Sequence, residues 1–185
     1  MIEYNYDTIK EELRKVITPD TVIACIGTNK VIFDIFGPLC GEMLRRKGVP
    51  YYGDYKNNIN SVTMNTRLYE IYEKDNLDNM NIIAIDAAVT EDDEKLNTVV
   101  FKDRGVKPGA GLGKRFPTIG AYSILMFSIT RKDLNKSMSN YHKGLYYGRR
   151  KDISDRSIIR QHAENITNII AELYNDVCNQ QKCLS

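Results

Sequence analysis

With 185 residues, 42% of them hydrophobic and 27% charged, the chain has ordinary globular composition and enough length to bury a core without disulfide or metal staples. A formal charge of +2 is too mild to argue for nucleic acid, and the local cluster Lys143, Arg149, Arg150 and Lys151 reads as a solvated loop. No apolar run approaches the roughly 20 residues that span a bilayer, and Met1-Ile2-Glu3-Tyr4 does not open like a secretory signal, so a soluble, cytoplasmic protein with no membrane partner is expected.

In chain order, a first helix is expected after Asp7, which would cap it, with Ile9, Leu13, Val16 and Ile17 on one face. Residues 21–26 are a short β-branched run ended by Gly27, the pattern of a buried strand. Pro38 suits the first turn of a second helix and Gly48 its C-terminal cap, with Leu39, Met43 and Leu44 toward the sheet. Residues 49–53 read as a strand, Asn65 as the cap of a helix carrying Leu68, Ile71 and Tyr72, and residues 81–85 as the clearest strand. After the acidic turn at residues 91–94 come strands at 98–102 and 123–130. Residues 133–153 show no clear period and read as an insertion or lid. A long helix then starts near Ser154 or Asp155, its stripe Ile159, Ala163, Ile166, Ile170, Leu173, Val177 stepping by four and three. Strands alternating with helices predict one α/β domain over residues 1–185, a three-layer α/β/α sandwich with a mostly parallel or mixed sheet.

Cysteines stand at 25, 40, 178 and 183 without metal-binding spacing. Cys25 and Cys40 fall in apolar patterns and read as small buried hydrophobes; the other two lie at a C-terminus expected to fray. Of the two histidines, His162 sits beside the apolar stripe and reads as a packing residue, and His142 lies in the irregular stretch. No Ser-His-Asp or Cys-His arrangement is visible, which disfavours a nucleophilic hydrolase.

Two acids stand out. Asp34 precedes Gly37-Pro38 at a predicted helix start, where free amides and the helix dipole favour a charged carboxylate. Asp86 follows four apolar strand residues, where an acid is costly unless it is paired or faces a cleft. Ligands of open α/β sheets bind beyond the carboxyl ends of the strands, where both acids and the loop Pro108-Gly109-Ala110-Gly111-Leu112-Gly113-Lys114 are expected to meet. If the carboxylates approach closely, repulsion raises one pKa and leaves an acid and a base for amide chemistry. They would equally suit a divalent metal, and the sequence does not separate these routes. The glycine loop matches neither nucleotide-binding pattern: Pro108, Lys114 and Arg115 stand where a P-loop or dinucleotide fingerprint needs other residues. Gly109 and Gly111 would admit a substrate backbone or only form turns, and Lys114 would stabilise negative charge or remain solvated. Thr28 is either a donor to substrate or a local turn bond.

Cys25-Ile26-Gly27-Thr28, Asp34-Ile35-Phe36-Gly37-Pro38-Leu39, Tyr52-Gly53, Ile83-Ala84-Ile85-Asp86-Ala87 and the 108–114 loop, in this order, resemble the YyaC-like sporulation proteins. More distantly the set is similar to the germination protease and the hydrogenase maturation peptidases. The resemblance runs over residues 21–130 and resumes weakly at 156–173. It implies a phosphorylase/hydrolase-like fold and cleavage of small spore proteins or a processing substrate, in the forespore or spore core. Asp34 and Asp86 would be the catalytic acids, with Gly27, Thr28, Asn29, Gly109, Gly111 and Lys114 binding a protein or peptide substrate. Asn29-Lys30-Val31-Ile32-Phe33 replaces a more polar stretch of those families, and Asn60 stands where they carry a histidine. A non-catalytic binding protein on the same scaffold is the rival reading. No cofactor is implied beyond an optional divalent metal at Asp34 and Asp86, and a homo-oligomer is left open.

Overall fold

The computed structural model describes residues 5–78, 81–110, 113–142 and 155–184. A five-stranded sheet, ordered β2-β1-β3-β5-β4, is built from β1 (Val22–Cys25), β2 (Tyr51–Tyr52), β3 (Ile82–Thr90), β4 (Val99–Lys102) and β5 (Tyr122–Thr130). All neighbours are parallel except β4 and β5, which are antiparallel. Helices complete the mixed α/β sandwich: α1 (Tyr6–Val16), α2 (Phe36–Lys47), α3 (Met64–Leu68), α4 (Arg131–His142) and α5 (Arg156–Leu184).

The period-two alternation of the strands divides two apolar cores. Ile23, Cys25, Ile83 and Ile85 face α1, α2 and α5, where Leu13, Phe36, Leu44, Ile159, Ala163, Ile166 and Ile170 close the main core. Ala24, Ile26, Ile82 and Ala84 face the other way, against Ile59, Met64, Ile71, Val106 and Ile119. The stripe of α5 is buried through Leu173, and Asp155 stands just before its first residue.

Helix α2 lies unusually close to the sheet because its inner face is bare. A Cβ on Gly37 would stand 2.0 Å from the Ile26 carbonyl oxygen, and one on Gly41 would stand 1.8 Å from that of Gly53. The i, i+4 glycine pair therefore lets helix backbone rest on strand backbone. Gly48 then caps the helix in the left-handed conformation, as its sequence position predicts.

Several local expectations change. Asn5, not Asp7, caps α1; its side-chain oxygen accepts from the Asp7 N–H, because the helix starts two residues earlier. Asn65 lies inside α3 rather than capping it, and α3 continues as a π-helical turn, Tyr69–Lys74. The second strand shrinks to two residues. The first part of the stretch read as irregular is helical: α4 starts directly after β5, where the Thr130 hydroxyl donates to Asp133 at 2.5 Å and accepts from its N–H. The rest of that stretch, residues 143–154, and with it the lid expectation, lies outside the described residues. The C-terminus does not fray at Cys178 and Cys183, since α5 carries both. No helix among the described residues is long and apolar enough to cross a membrane.

Candidate active site

Strand β1 ends at Cys25, level with Ile85 of β3, while β3 runs on to Thr90 beside β5. Asp86 is thus the first residue of β3 to lose its β1 neighbour. By alternation it continues the row Ile82 and Ala84 rather than the α2-facing row. It sits inside the strand, not after it, a correction to the sequence expectation. The chain leaving β1 turns toward β2, and the chain leaving β3 turns toward β5 and β4. This divergence between β1 and β3 is a topological switch point, the place where open α/β sheets form their crevice.

Asp34 reaches that switch point from the loop after β1. It follows no strand: residues Ile32–Asp34 form a 3-10 turn that packs across β3 and β5 before α2 begins. Gly27 makes this possible. Its φ is +134°, and a Cβ there would stand 2.3 Å from the Asp34 carbonyl oxygen and 3.1 Å from Pro38 Cδ. The Thr28 N–H donates to that same carbonyl at 2.9 Å. The middle of the turn is fixed by the Ser128 hydroxyl, which donates to the Phe33 carbonyl at 2.6 Å.

The two acids interact. Burial pushes the Asp34 carboxyl up to about 7, against the opposing pull of the Thr28 amide. Proximity to a helix N-terminus does not hold it charged, as sequence position suggested, because desolvation outweighs those amides. Asp86 is pushed well above the ordinary carboxylate range, by burial first and then by the negative charge of Asp34; the Ala87 N–H, 2.9 Å from its Oδ1, opposes this. Both carboxyls are therefore biased toward their neutral form, and the two titrate as a coupled pair. Interacting carboxyls shifted upward in this way are the kind of pair that general acid–base chemistry uses. Among the described residues, no group of three His, Cys, Asp or Glu side chains gathers to hold a metal. Asp34 and Asp86 are the pair on which a cation would rest.

The other expected site residues fall into two groups. Gly27, Thr28 and Asn29 lie beside the acids but serve the protein's own backbone. Thr28 Oγ1 accepts from the Lys30 N–H at 3.3 Å, the local turn bond. The Asn29 N–H donates to Asn58 Oδ1 and its side-chain amide to the Tyr55 carbonyl, both at 3.1 Å. The glycine loop is rooted elsewhere. Because β4 runs antiparallel, the chain leaving it emerges at the opposite, amino-terminal end of the parallel strands. There the Ser123 hydroxyl donates to the Arg104 carbonyl at 2.8 Å and the Ala121 N–H to that of Ile82 at 3.1 Å. Gly109 packs under the stem of Lys114, whose N–H donates to the Gly109 carbonyl at 3.0 Å, and Lys114 itself is exposed. Gly111 lies outside the described residues.

Asp54 is a buried acid that sequence reasoning passed over. Its Oδ1 accepts from the Lys56 and Asn57 amides at 2.8 and 2.7 Å, and its Oδ2 from the Tyr51 hydroxyl at 3.2 Å. Burial raises its pKa, but these donors prevail and hold it below the usual range. It is a charged brace for the 54–58 loop, which in turn grips Asn29. The spacing Asp54-x-x-Asn57 after a strand is the signal that reveals it. His162 is half-buried, bonded to the Tyr6 hydroxyl and the Asn97 backbone, and its pKa is lowered by burial, in keeping with a packing role. Helix α4 ends at His142, whose side chain is outside the described residues.

A family model described as "Protein of unknown function (DUF1256)" matches residues 1–139, the portion that carries the whole sheet and both acids. The chain belongs to this family. The chain also aligns with "Uncharacterized protein YyaC" of Bacillus subtilis (strain 168), 29% identical over 119 residues, 63% of this chain. The alignment spans 57% of that relative, a little over half its length.

Proposed function

We propose that this DUF1256 protein is an aspartate-dependent peptidase of the sporulation and germination type, acting on small spore proteins or on a processing substrate. The observation that carries the reading is the half-buried pair Asp34 and Asp86 at the switch point, both carboxyls pushed up by desolvation and Asp86 further by the charge of Asp34. The resemblance of the segments around both acids to germination-protease motifs supports it. Asp34 removes a proton from water as the water oxygen bonds to the scissile carbonyl carbon, and Asp86 gives its proton to the carbonyl oxygen. When the tetrahedral intermediate collapses, the C–N bond breaks, the proton on Asp34 passes to the leaving nitrogen, and the hydroxyl proton returns to Asp86.

The test is digestion of small acid-soluble spore proteins by wild type, Asp34→Asn and Asp86→Asn, read by mass spectrometry with a chelator arm. Discrete cuts by wild type alone, unaffected by chelator, are expected; cuts that persist in a folded Asp34→Asn protein overturn the assignment. Loss in chelator with recovery on adding a divalent ion replaces it by a metal-dependent route on the same acids. A second reading, a non-catalytic binding scaffold, is favoured by one observation: Thr28 and Asn29 are already engaged in bonds within the protein. Folded wild type that cuts nothing favours that reading.

A further inference from the structure

Strands β3 and β5 pair in register from Ile83 and Tyr122 up to Ala88 and Phe127, and resume with Val89 opposite Ile129. Ser128 is the residue left over. It forms a β-bulge, the device by which a strand re-aims one side chain near a site. Ser128 is fully buried, and its hydroxyl is directed out of the ladder to the Phe33 carbonyl at 2.6 Å, across 95 residues of sequence. Phe33 directly precedes Asp34. The next carbonyl of the same turn, that of Asp34, is held by the Thr28 amide.

We propose that Ser128 is a positioning residue for the acid pair: its bulge exists to clamp the turn that holds Asp34 against β3. The inference rests on the reading of Asp34 and Asp86 as the reacting acids, but its geometry and its test stand apart from turnover. With the clamp gone, the Phe33 carbonyl loses its donor and the turn separates from β5. Asp34, half-buried in the wild type, gains exposure to water, and the distance to Asp86 grows. A buried serine that only satisfies a carbonyl would affect stability and nothing else.

Ser123 supplies the control. It too is a buried serine on β5 whose hydroxyl donates to a backbone carbonyl, that of Arg104 at 2.8 Å, but at the opposite end of the strand. Carboxyl carbon NMR titration of Asp34 and Asp86 in wild type, Ser128→Ala, Ser128→Cys and Ser123→Ala reads the effect directly. Expected is a fall of the Asp34 midpoint by about one pH unit or more in Ser128→Ala, a tenfold change in its proton affinity. Asp86 falls with it, and Ser128→Cys, which keeps the shape and a weak donor, lies between. Ser123→Ala destabilises but titrates like wild type. Unchanged midpoints in folded Ser128→Ala overturn the proposal; should that variant not fold, unchanged midpoints in Ser128→Cys do so. A negative digestion assay leaves these midpoints informative, so failure of the peptidase reading and failure of the clamp are told apart. Where cleavage is seen, kcat falls in Ser128→Ala while KM holds, and the acid limb of the pH profile moves with the Asp34 midpoint.

Discussion

Asp34 is held in a state the unfolded chain does not share, and that difference makes stability depend on pH. Its folded pKa is about 7 against an ordinary 3.8. Between those values the native state binds more protons than the unfolded one, so this group's contribution to stability falls as pH rises. Its full penalty is present above pH 7 and absent below about 4. Asp34→Asn removes the penalty. The variant is expected to match wild type near pH 4 and to exceed it by on the order of 3 kcal/mol at pH 8, in denaturant melts at both values. A difference that does not change with pH would remove burial as the cause of the shifted carboxyl. Asp54 obeys the opposite sign, since its folded pKa is lowered: the stability it contributes is present at neutral pH and is lost as pH falls through its folded value. Two acids that look alike in the sequence thus behave in opposite ways, because two amides and a hydroxyl outweigh desolvation at Asp54 while the one amide at Asp34 does not. Composition and spacing identified Asp34 and Asp86 as unusual; they could not reveal the sign of the Asp34 shift, which depends on how many donors the fold brings to each oxygen.

At the scale of elements, the glycines of α2 separate two effects that sequence alone merges. Gly41 lies against the Gly53 carbonyl at a distance no Cβ tolerates, whereas a Cβ on Gly48 meets nothing within 4 Å. Gly41→Ala must therefore push helix from sheet, with an expected loss of about 3 kcal/mol or more. Gly48→Ala meets only the left-handed backbone preference, about 1 kcal/mol. Thermal melts of the two variants check the contrast, and equal costs would mean that α2 is free to slide. The displacement also reaches the site, since α2 carries its first turn directly after Asp34. Helices α1, α2 and α5 and the longer strands were legible because each has a strong period or a clear stop residue: Gly48 for α2, the four-three stripe for α5. Helix α4 was not legible. Its start depends on the Thr130–Asp133 bond, and the polar run Arg131-Lys132-Asp133 hides the turn until the end of β5 is known.

For the molecule as a whole, the sequence points to an alternating α/β sandwich but leaves the strand order open, and the order decides which motifs share a site. Asp34 and Asp86 meet because β1 and β3 are neighbours on either side of the switch point. The glycine loop, equally conspicuous in the sequence, hangs from the other end because β4 is antiparallel, a reversal that no residue in residues 98–102 announces. The same architecture sorts the four cysteines. Cys25 on β1 and Cys40 on α2 lie in the main core, where burial raises both thiols above their ordinary range. Cys178 is half-buried and Cys183 exposed near the end of α5. Thiol labelling of the native protein is expected to modify Cys183 fastest, Cys178 more slowly, and Cys25 and Cys40 only as the sheet and α2 separate. Peptide mapping against denaturant concentration then reads the opening of the core directly, because Cys25 and Cys40 come from different layers of it. If the two become reactive together and at the global midpoint, sheet and helix layer unfold as one unit. Labelling of Cys40 well before Cys25 would mean that α2 lifts from the sheet by itself, and with it the turn that carries Asp34.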